Sequence, residues 1–294
     1  MNVYKEETIV SDVVESIGNG SLIQHGKHND RVYLMKLDKR DATIMPERLS
    51  KMARTEGYSK IFCKVPKWAA PLFYANGFIL EAAIPQFYSD DEDVFFISKF
   101  LDSDRLLGIE KDKLNGLGQL LYQKTEGEKL RDSSCTIRPL SVDDIDQIAH
   151  IYNEIFETYP FPIHDPDFLL ESMENDIHYF GAEKNGQIVA VAAAEVDRKG
   201  CNAEMTDFAT LKAHQGNRLA TYILQTMEAE MCKQGISSLY TIARLNSLPM
   251  NKTFLRANYH YAGTLIKNTN IAGSIESMNI LYKHTSPDKT SRYV

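Results

Sequence analysis

The chain has 294 residues, 43% of them hydrophobic and 25% charged, with a formal net charge of -7. That is the composition of a globular protein with room for two domains, and it excludes a disordered chain. The acidic balance leaves no domain-wide basic field, so nucleic acid is not an expected partner, whereas a small cationic substrate suits such a surface.

In chain order, "MNVYKEETIV" lacks the apolar core of a signal peptide, and the longest apolar run, "IVAVAAA" at 188–194, is too short to span a bilayer. The expected location is the cytoplasm, with no membrane partner. "PERLSKMARTEGYSKIFCKVPKWAAPLFYANGFILEAAI" then reads as helix, Gly57, strand, helix, the triplet Ala75-Asn76-Gly77, and strand. The polar stretch "KTEGEKLRDSSC" is a linker. The expected domains are 1–100, a helical linker 101–134, and 135–294.

The second half is the easier to read. "TIRPLS" is a strand followed by Ser141 as N-cap, and "VDDIDQIAHIYNEIFETY" has apolar residues at helical spacing with acids in its first turn. The Pro-rich "YPFPIHDPDF" is an irregular loop before the short helix "DFLLESMEND". A hairpin turning at Asn185-Gly186 follows, then the strand "AEMTDFATL". "HQGNRLATYILQTMEAEM" leads through a glycine loop into a long helix ended by Gly235, and "SSLYTIAR" is a buried strand. Helix "SLPMNKTFLRAN" and strands "HYAGTLIK" and "SMNILYKH" complete a β-α-α-β-β-β-α-β-α-β-β order: an α/β mixed sheet with helices on its faces. "KNTNIAGS" between the last two strands reads as a turn.

The helix, glycine, strand, helix, Ala-Asn, strand pattern occurs in both halves, around Gly57 and again around Gly235. A degenerate repeat is the preferred reading; chance similarity of two β-α-β units is the alternative. The first copy has no glycine loop before its helix, so it is expected to pack or to bind substrate and not to hold a phosphate.

Cys63, Cys135, Cys201 and Cys232 form no C-x-x-C pair and read as reduced thiols, and the eight histidines show no ligand spacing, so no metal is assigned. The loop before the long helix is the strongest motif. A helix N-terminus carries unspent N–H groups and about half a positive charge, which makes Gln215, Gly216 and Asn217 a candidate phosphate cradle; a simple turn with a cap is the bland alternative.

On this loop, the strand before it and the element order, residues 135–285 resemble the GNAT N-acetyltransferase superfamily. The superfamily's Q/R-x-x-G-x-G/A pattern is met by Gln215 and Ala220, with Arg218 where glycine is expected. The resemblance implies acetyl-CoA as co-substrate, its pyrophosphate on the backbone of Gly216, Asn217, Arg218, Leu219 and Ala220, with Thr210, Leu211, Gln215 and Asn251 completing the cofactor site. "MTDFATL", "YTIAR", "MNKTF", "GTLIKNTNIAGSIESMNILYK" and "LFYANGFILEAAIPQFYSDDEDVFFISKFLD" resemble the β-lysine N-acetyltransferases. That narrower resemblance implies acetyl transfer to the ε-amine of β-lysine, forming a zwitterionic compatible solute.

Only a neutral amine attacks a thioester, and holding a lysine-like ammonium deprotonated near neutral pH costs on the order of 4 kcal/mol, so a base is needed. The resemblance points to Glu204 and Asp207 on "AEMTDFATL". Three residues apart, they face opposite sides of a regular strand and are not expected to line one pocket. A backbone N–H of Phe208 or Ala209 is expected to meet the oxyanion. Relatives place an acidic tyrosine where this chain has Leu255, leaving Asn251, Tyr259, Tyr240 or solvent to protonate the thiolate. Tyr159 and Phe161 are expected as a substrate wall, Arg244 as a carboxylate receptor, and Asn268, Asn270, Glu276 and Asn279 as the polar substrate motif. The rival readings are a GNAT acting on a polyamine, another amino acid or a protein lysine, and an acyl-CoA sensor without turnover. The first half could instead form the pairing surface of a homodimer.

Overall fold

A computed structural model describes residues 12–89, 91–123 and 135–285. The N-terminal decapeptide and all of the polar linker except Cys135 lie outside them. Six strands and two helices come first: β1 (Val13–Ile17), β2 (Ser21–Gly26), β3 (Arg31–Lys36), α1 (Met45–Glu56), β4 (Lys60–Pro66), α2 (Ala70–Tyr74), β5 (Ile79–Ile84) and β6 (Val94–Phe100). Two helices, α3 (Ser103–Leu107) and α4 (Lys111–Tyr122), follow. The second half runs β7 (Thr136–Pro139), α5 (Ile145–Ile155), α6 (Pro166–Glu174), β8 (Ile177–Lys184), β9 (Gln187–Asp197), β10 (Asn202–Thr210), α7 (Leu219–Lys233), β11 (Ser238–Arg244), α8 (Leu248–Arg256), β12 (His260–Ile271) and β13 (Ser274–His284).

The second half has the order expected from its sequence. Asn185 and Gly186 both take positive φ at the β8–β9 turn, and Gly235 at φ 79° follows α7. The apolar run inside β9 is a strand buried on both faces: Ala190, Ala192 and Ala194 pack under α7, while Val191 and Ala193 pack under α5. The segment read as a turn, "KNTNIAGS", is instead mostly strand. β12 continues to Ile271, and only Ala272 and Gly273 make the turn. Three strands before α1 also escaped the sequence reading.

All strands of the described residues join one 13-stranded sheet, in the order β1-β2-β3-β4-β6-β5-β12-β13-β11-β10-β9-β8-β7. The order is palindromic about the β5–β12 junction. β3 runs parallel to β4 as β10 does to β11, and β4 lies antiparallel to β6 as β11 does to β13. The helix between each parallel pair, α1 or α7, packs on one face of its half. This order places the repeated segments as counterparts.

The sheet folds over on itself. β4 and β11 are five strand steps apart, about 24 Å in a flat sheet, yet the Lys64 amine on β4 lies 3.2 Å from the Tyr240 hydroxyl on β11. Tyr33, Phe62 and Phe96 of the first half form one core with Tyr240, Leu265, Met278 and Ile280 of the second. At the junction Gly263 pairs with Ala82 at φ 149°, and a Cβ there would lie 2.1 Å from the Glu81 carbonyl oxygen. Gly263→Val is expected to cost on the order of 3 kcal/mol by forcing these backbones apart. Urea unfolding of the two proteins measures it.

Candidate active site

β10 and β11 pair only from Asn202 to Glu204 against Ser238 to Tyr240. Beyond that point β10 stays with β9 while β11 stays with β13 as far as Arg244, so the parallel strands splay. A cavity of about 390 Å³ fills the wedge. On the α7 side its walls are Phe208, Gln215, Ser247, Met250 and Phe254. On the folded-over side they are Arg31, Tyr33, Phe62 and Lys64 from the first half, with Tyr159 and Phe161 from the Pro-rich loop. The two predicted loop aromatics therefore do stand at the cavity.

Glu204 and Asp207 both line it, contrary to the expectation from strand alternation. The cause is a β-bulge. Thr206 pairs with Ala193 and Ala209 with Val191, so β10 carries one extra residue, and Asp207 takes φ 57°. The inserted residue swings Asp207 onto the Glu204 face, and Phe208 packs edge-on to Phe254 on the other.

A third carboxyl, Glu195 on β9, stands directly opposite Glu204 in the ladder, where Cβ atoms are about 5 Å apart. Burial pushes Glu204 up to about 7; the Lys64 charge and a hydrogen bond from Tyr240 hold it from going higher. Glu195 is driven well above the usual carboxylate range, first by burial and then by Glu204 and Asp207. Burial also raises Asp207, against hydrogen bonds from the Tyr159 hydroxyl and from Thr206 Oγ1, the latter at 3.0 Å. Like charges this close resist simultaneous ionisation, so at neutral pH the cluster holds protons and is poised to exchange them.

The loop ahead of α7 leaves β10 through Thr210 and Leu211. Gln215 closes it by donating to the Thr210 carbonyl at 3.1 Å, and Asn217 donates to the His214 carbonyl at 3.0 Å. Gly216 takes φ 81° and Arg218 φ 58°, so Arg218 adopts the left-handed conformation that suits the glycine it replaces. Leu219 and Ala220 open the helix, whose first amides have no intrahelical acceptor.

Other sequence candidates sit elsewhere. Arg244 lines the cavity, but Glu276 occupies its fork at 3.0 and 2.7 Å, so it is not a vacant carboxylate receptor. Asn268 lines the cavity, while Asn270, Glu276 and Asn279 do not. Asn270 binds the His28 carbonyl and Asn29 of the first half; Asn279 binds Asn251, whose amide also donates to the Arg244 and Ser247 carbonyls. Leu255 packs into the α7 core. Sequence reading missed Glu195, Arg31, Tyr33 and Lys64. A carboxyl directly after the apolar run of β9 could have flagged Glu195; the other three needed the fold-over. Among the described residues no group of three or more His, Cys, Asp or Glu side chains is arranged to hold a metal ion.

A wedge between splayed parallel strands, with a glycine loop and helix end on one side and clustered carboxyls on the other, is the layout of an acyltransferase. Residues 145–259 match the acetyltransferase (GNAT) family. A β-lysine N(6)-acetyltransferase of Methanococcus maripaludis is 39% identical over 90% of this chain and 96% of its own. One from Methanosarcina mazei is 28% identical, covering 79% and 93%, and the N-acetyltransferase YodP of Bacillus subtilis is 25% identical, covering 92% and 98%. The chain belongs to the GNAT acetyltransferase family and is an N-acetyltransferase.

A buried carboxyl whose folded pKa lies above its unfolded value contributes stability in full below the unfolded pKa, and loses it as pH rises through the folded one. For Glu204 the window runs from 4.5, the ordinary value of a glutamate carboxyl, to about 7. Glu204→Gln is therefore expected to raise the melting temperature at pH 8 and to change it little at pH 5. Thermal melts of both proteins across that range check this.

Proposed function

We propose that the protein transfers acetyl from acetyl-CoA to the ε-amine of β-lysine, producing in the cytoplasm a zwitterionic solute that serves osmoprotection. The observation that carries the reading is the cluster of Glu195, Glu204 and Asp207 at the splay, able to draw in a cationic amine and remove its proton. The whole-length similarity to β-lysine N(6)-acetyltransferases supports the choice of amine.

In this reading acetyl-CoA lies in the wedge with its pyrophosphate against the amides of Gly216 to Ala220. Glu204, ionised in about half of the molecules at neutral pH, takes a proton from the ε-ammonium, directly or through water. The amine attacks the thioester carbon, and a backbone N–H of Phe208 or Ala209, where the bulge disturbs the ladder, meets the oxyanion. The C–S bond then breaks, the nitrogen gives up its second proton, and the thiolate takes one, so that thiol and amide leave neutral and one proton in all is released. Of the groups named for that step, Asn251 and Tyr259 are outside the cavity lining and Tyr240 is inside it. Tyr240 also bonds to Glu204, so it can pass a proton between base and leaving group.

We further divide the chain into a substrate-covering part, 1–100, a connection, 101–134, whose described residues hold α3 and α4, and a catalytic part, 135–294. A polyamine would also satisfy three carboxyls, and it is the second reading to test.

Thiol release with β-lysine, α-lysine and spermidine offered separately, and products weighed by mass spectrometry, should show turnover concentrated on β-lysine. Preference for spermidine would overturn the assignment. Below about pH 7 Glu204 keeps its own proton and cannot accept another, so kcat/KM should rise with pH through that value. Glu204→Gln should lower kcat roughly 10²- to 10⁴-fold and remove that limb of the profile.

Gly216→Glu tests the cofactor half of the reading. A side chain at Gly216 meets no neighbouring atom within 4 Å, so a carboxylate there would occupy open space in front of the helix. Titration calorimetry should show acetyl-CoA binding weakened at least tenfold. Unchanged affinity would remove the pyrophosphate from this loop.

A further inference from the structure

One cation lining the cavity has no counter-charge among the described residues. Arg31, on β3, is 4% exposed and lines the cavity. Its guanidinium meets only neutral acceptors: Nη1 donates to the Asn268 carbonyl and, at 3.1 Å, to Thr269 Oγ1, and Nη2 lies 3.4 Å from Gln24 Oε1. Its Nε has no hydrogen-bond partner among the described residues, and no carboxylate among them forms an ion pair with it. Burial lowers its pKa to about 10, which leaves it charged at neutral pH.

The surroundings fix the group without neutralising it. The rings of Tyr33 and Phe62 lie 5.3 and 5.7 Å from the guanidinium carbon. The other cations of the cavity are engaged: Arg244 by Glu276, and Lys64 by Tyr240 with Glu204 and Glu195 nearby. A buried cation without a counter-charge is costly, and the cost falls when an anion arrives.

We propose that Arg31 receives the carboxylate of the amino-acid substrate, so that the first half of the chain selects amino acids over plain diamines. The inference rests on the reading above, in which the acceptor carries amines and a carboxylate. The buried, unpartnered Nε–H and the weakly held Nη2 make up the side-on fork that a carboxylate fits. Glu195, Glu204 and Asp207 take the ammonium groups. A diamine of the same length would leave Arg31 buried and unpaired, so rejection comes from a penalty as well as from a lost attraction.

The test compares kcat/KM for β-lysine and for 1,4-diaminopentane, which is β-lysine without its carboxylate, in the wild type, Arg31→Met and Arg31→Lys. The ratio is taken within each protein, so partial misfolding cancels. The wild type should prefer β-lysine by on the order of a hundredfold or more. Arg31→Met should bring the ratio near one, mainly through a raised KM for β-lysine, and Arg31→Lys should restore part of it. An equal loss on both substrates in Arg31→Met would overturn the proposal and leave Arg31 a fastener for β12, as would a wild type that prefers the diamine. If the wild type ignores β-lysine but acetylates α-lysine, the substrate reading fails separately. Arg31 then stands if Arg31→Met abolishes the preference for α-lysine over 1,5-diaminopentane, and falls if it does not.

Discussion

Everything in the site depends on the sheet closing over itself at the β5–β12 junction. That junction has a single registered pair, Gly263 with Ala82, and is reinforced by charges buried beside it. The Lys60 amine, fully buried, binds Glu81 at 2.9 Å and the Ile266 carbonyl at 2.7 Å, while Glu81 accepts the Ile266 amide at 2.7 Å. Arg105 reaches across from α3 to the Lys267 carbonyl at 2.9 Å and holds the Asn29 and Asp30 carbonyls of the first half. The carbonyls at 266–268 are free to accept these cations because β12 bulges between Leu265 and Thr269 and leaves the ladder there. A buried ion pair adds little net stability, but removing one partner is severe, so this network fixes the angle of closure more than it strengthens the fold.

The closure and the splay together make the chemistry. Without the fold-over, Glu195 and Glu204 would face water and titrate in the ordinary carboxylate range. Covered by Tyr33, Phe62 and the Pro-rich loop, they lose solvent, and burial becomes the largest influence on each. Lys64 lowers both; the Tyr240 hydrogen bond helps to hold Glu204 near 7, while repulsion by Glu204 and Asp207 sends Glu195 higher. The first half thus acts on the catalytic strands as a dielectric lid and as the source of the tempering charge.

Legibility in the sequence followed the range of the interaction. Elements set by local periodicity and turn chemistry, such as the Asn185-Gly186 hairpin, α7 with Gly235 behind it, and both copies of the helix-strand-helix unit, were readable. The β10 bulge was not, because nothing in "EMTDFATL" announces that Asp207 will take a left-handed conformation; strand alternation therefore put it on the wrong face. The tail motif 268–279 was recognised as polar and characteristic but assigned to substrate. Much of it fastens the halves together, through contacts between residues more than 200 positions apart, or holds Arg244 from the neighbouring strand, and only the tertiary structure reveals either. For the same reason the sequence pointed to Arg244 and missed Arg31: the pairing of Arg244 with Glu276 and the absence of an ion pair at Arg31 among the described residues are both tertiary facts.

The palindrome of the sheet also sets two loops in corresponding places, and only the one before α7 has the open helix end that the proposed pyrophosphate site requires. In the second half the loop before α7 leaves the helix end open, with Gly216 and Arg218 in left-handed backbone. At the corresponding place before α1, the first half has Asp41, fully buried, whose carboxylate accepts the Asn19 amide at 2.9 Å and the Ser21 hydroxyl at 2.7 Å. A carboxylate built into that loop uses the donors around it and repels any incoming phosphate. β3 and β4 moreover pair through four residues, Arg31 to Leu34, where β10 and β11 pair through three. β3 and β4 carry Arg31, Tyr33 and Lys64 to the cavity that Glu195, Glu204 and Asp207 also line, so the copy without an open helix end contributes walls to the cavity of the other.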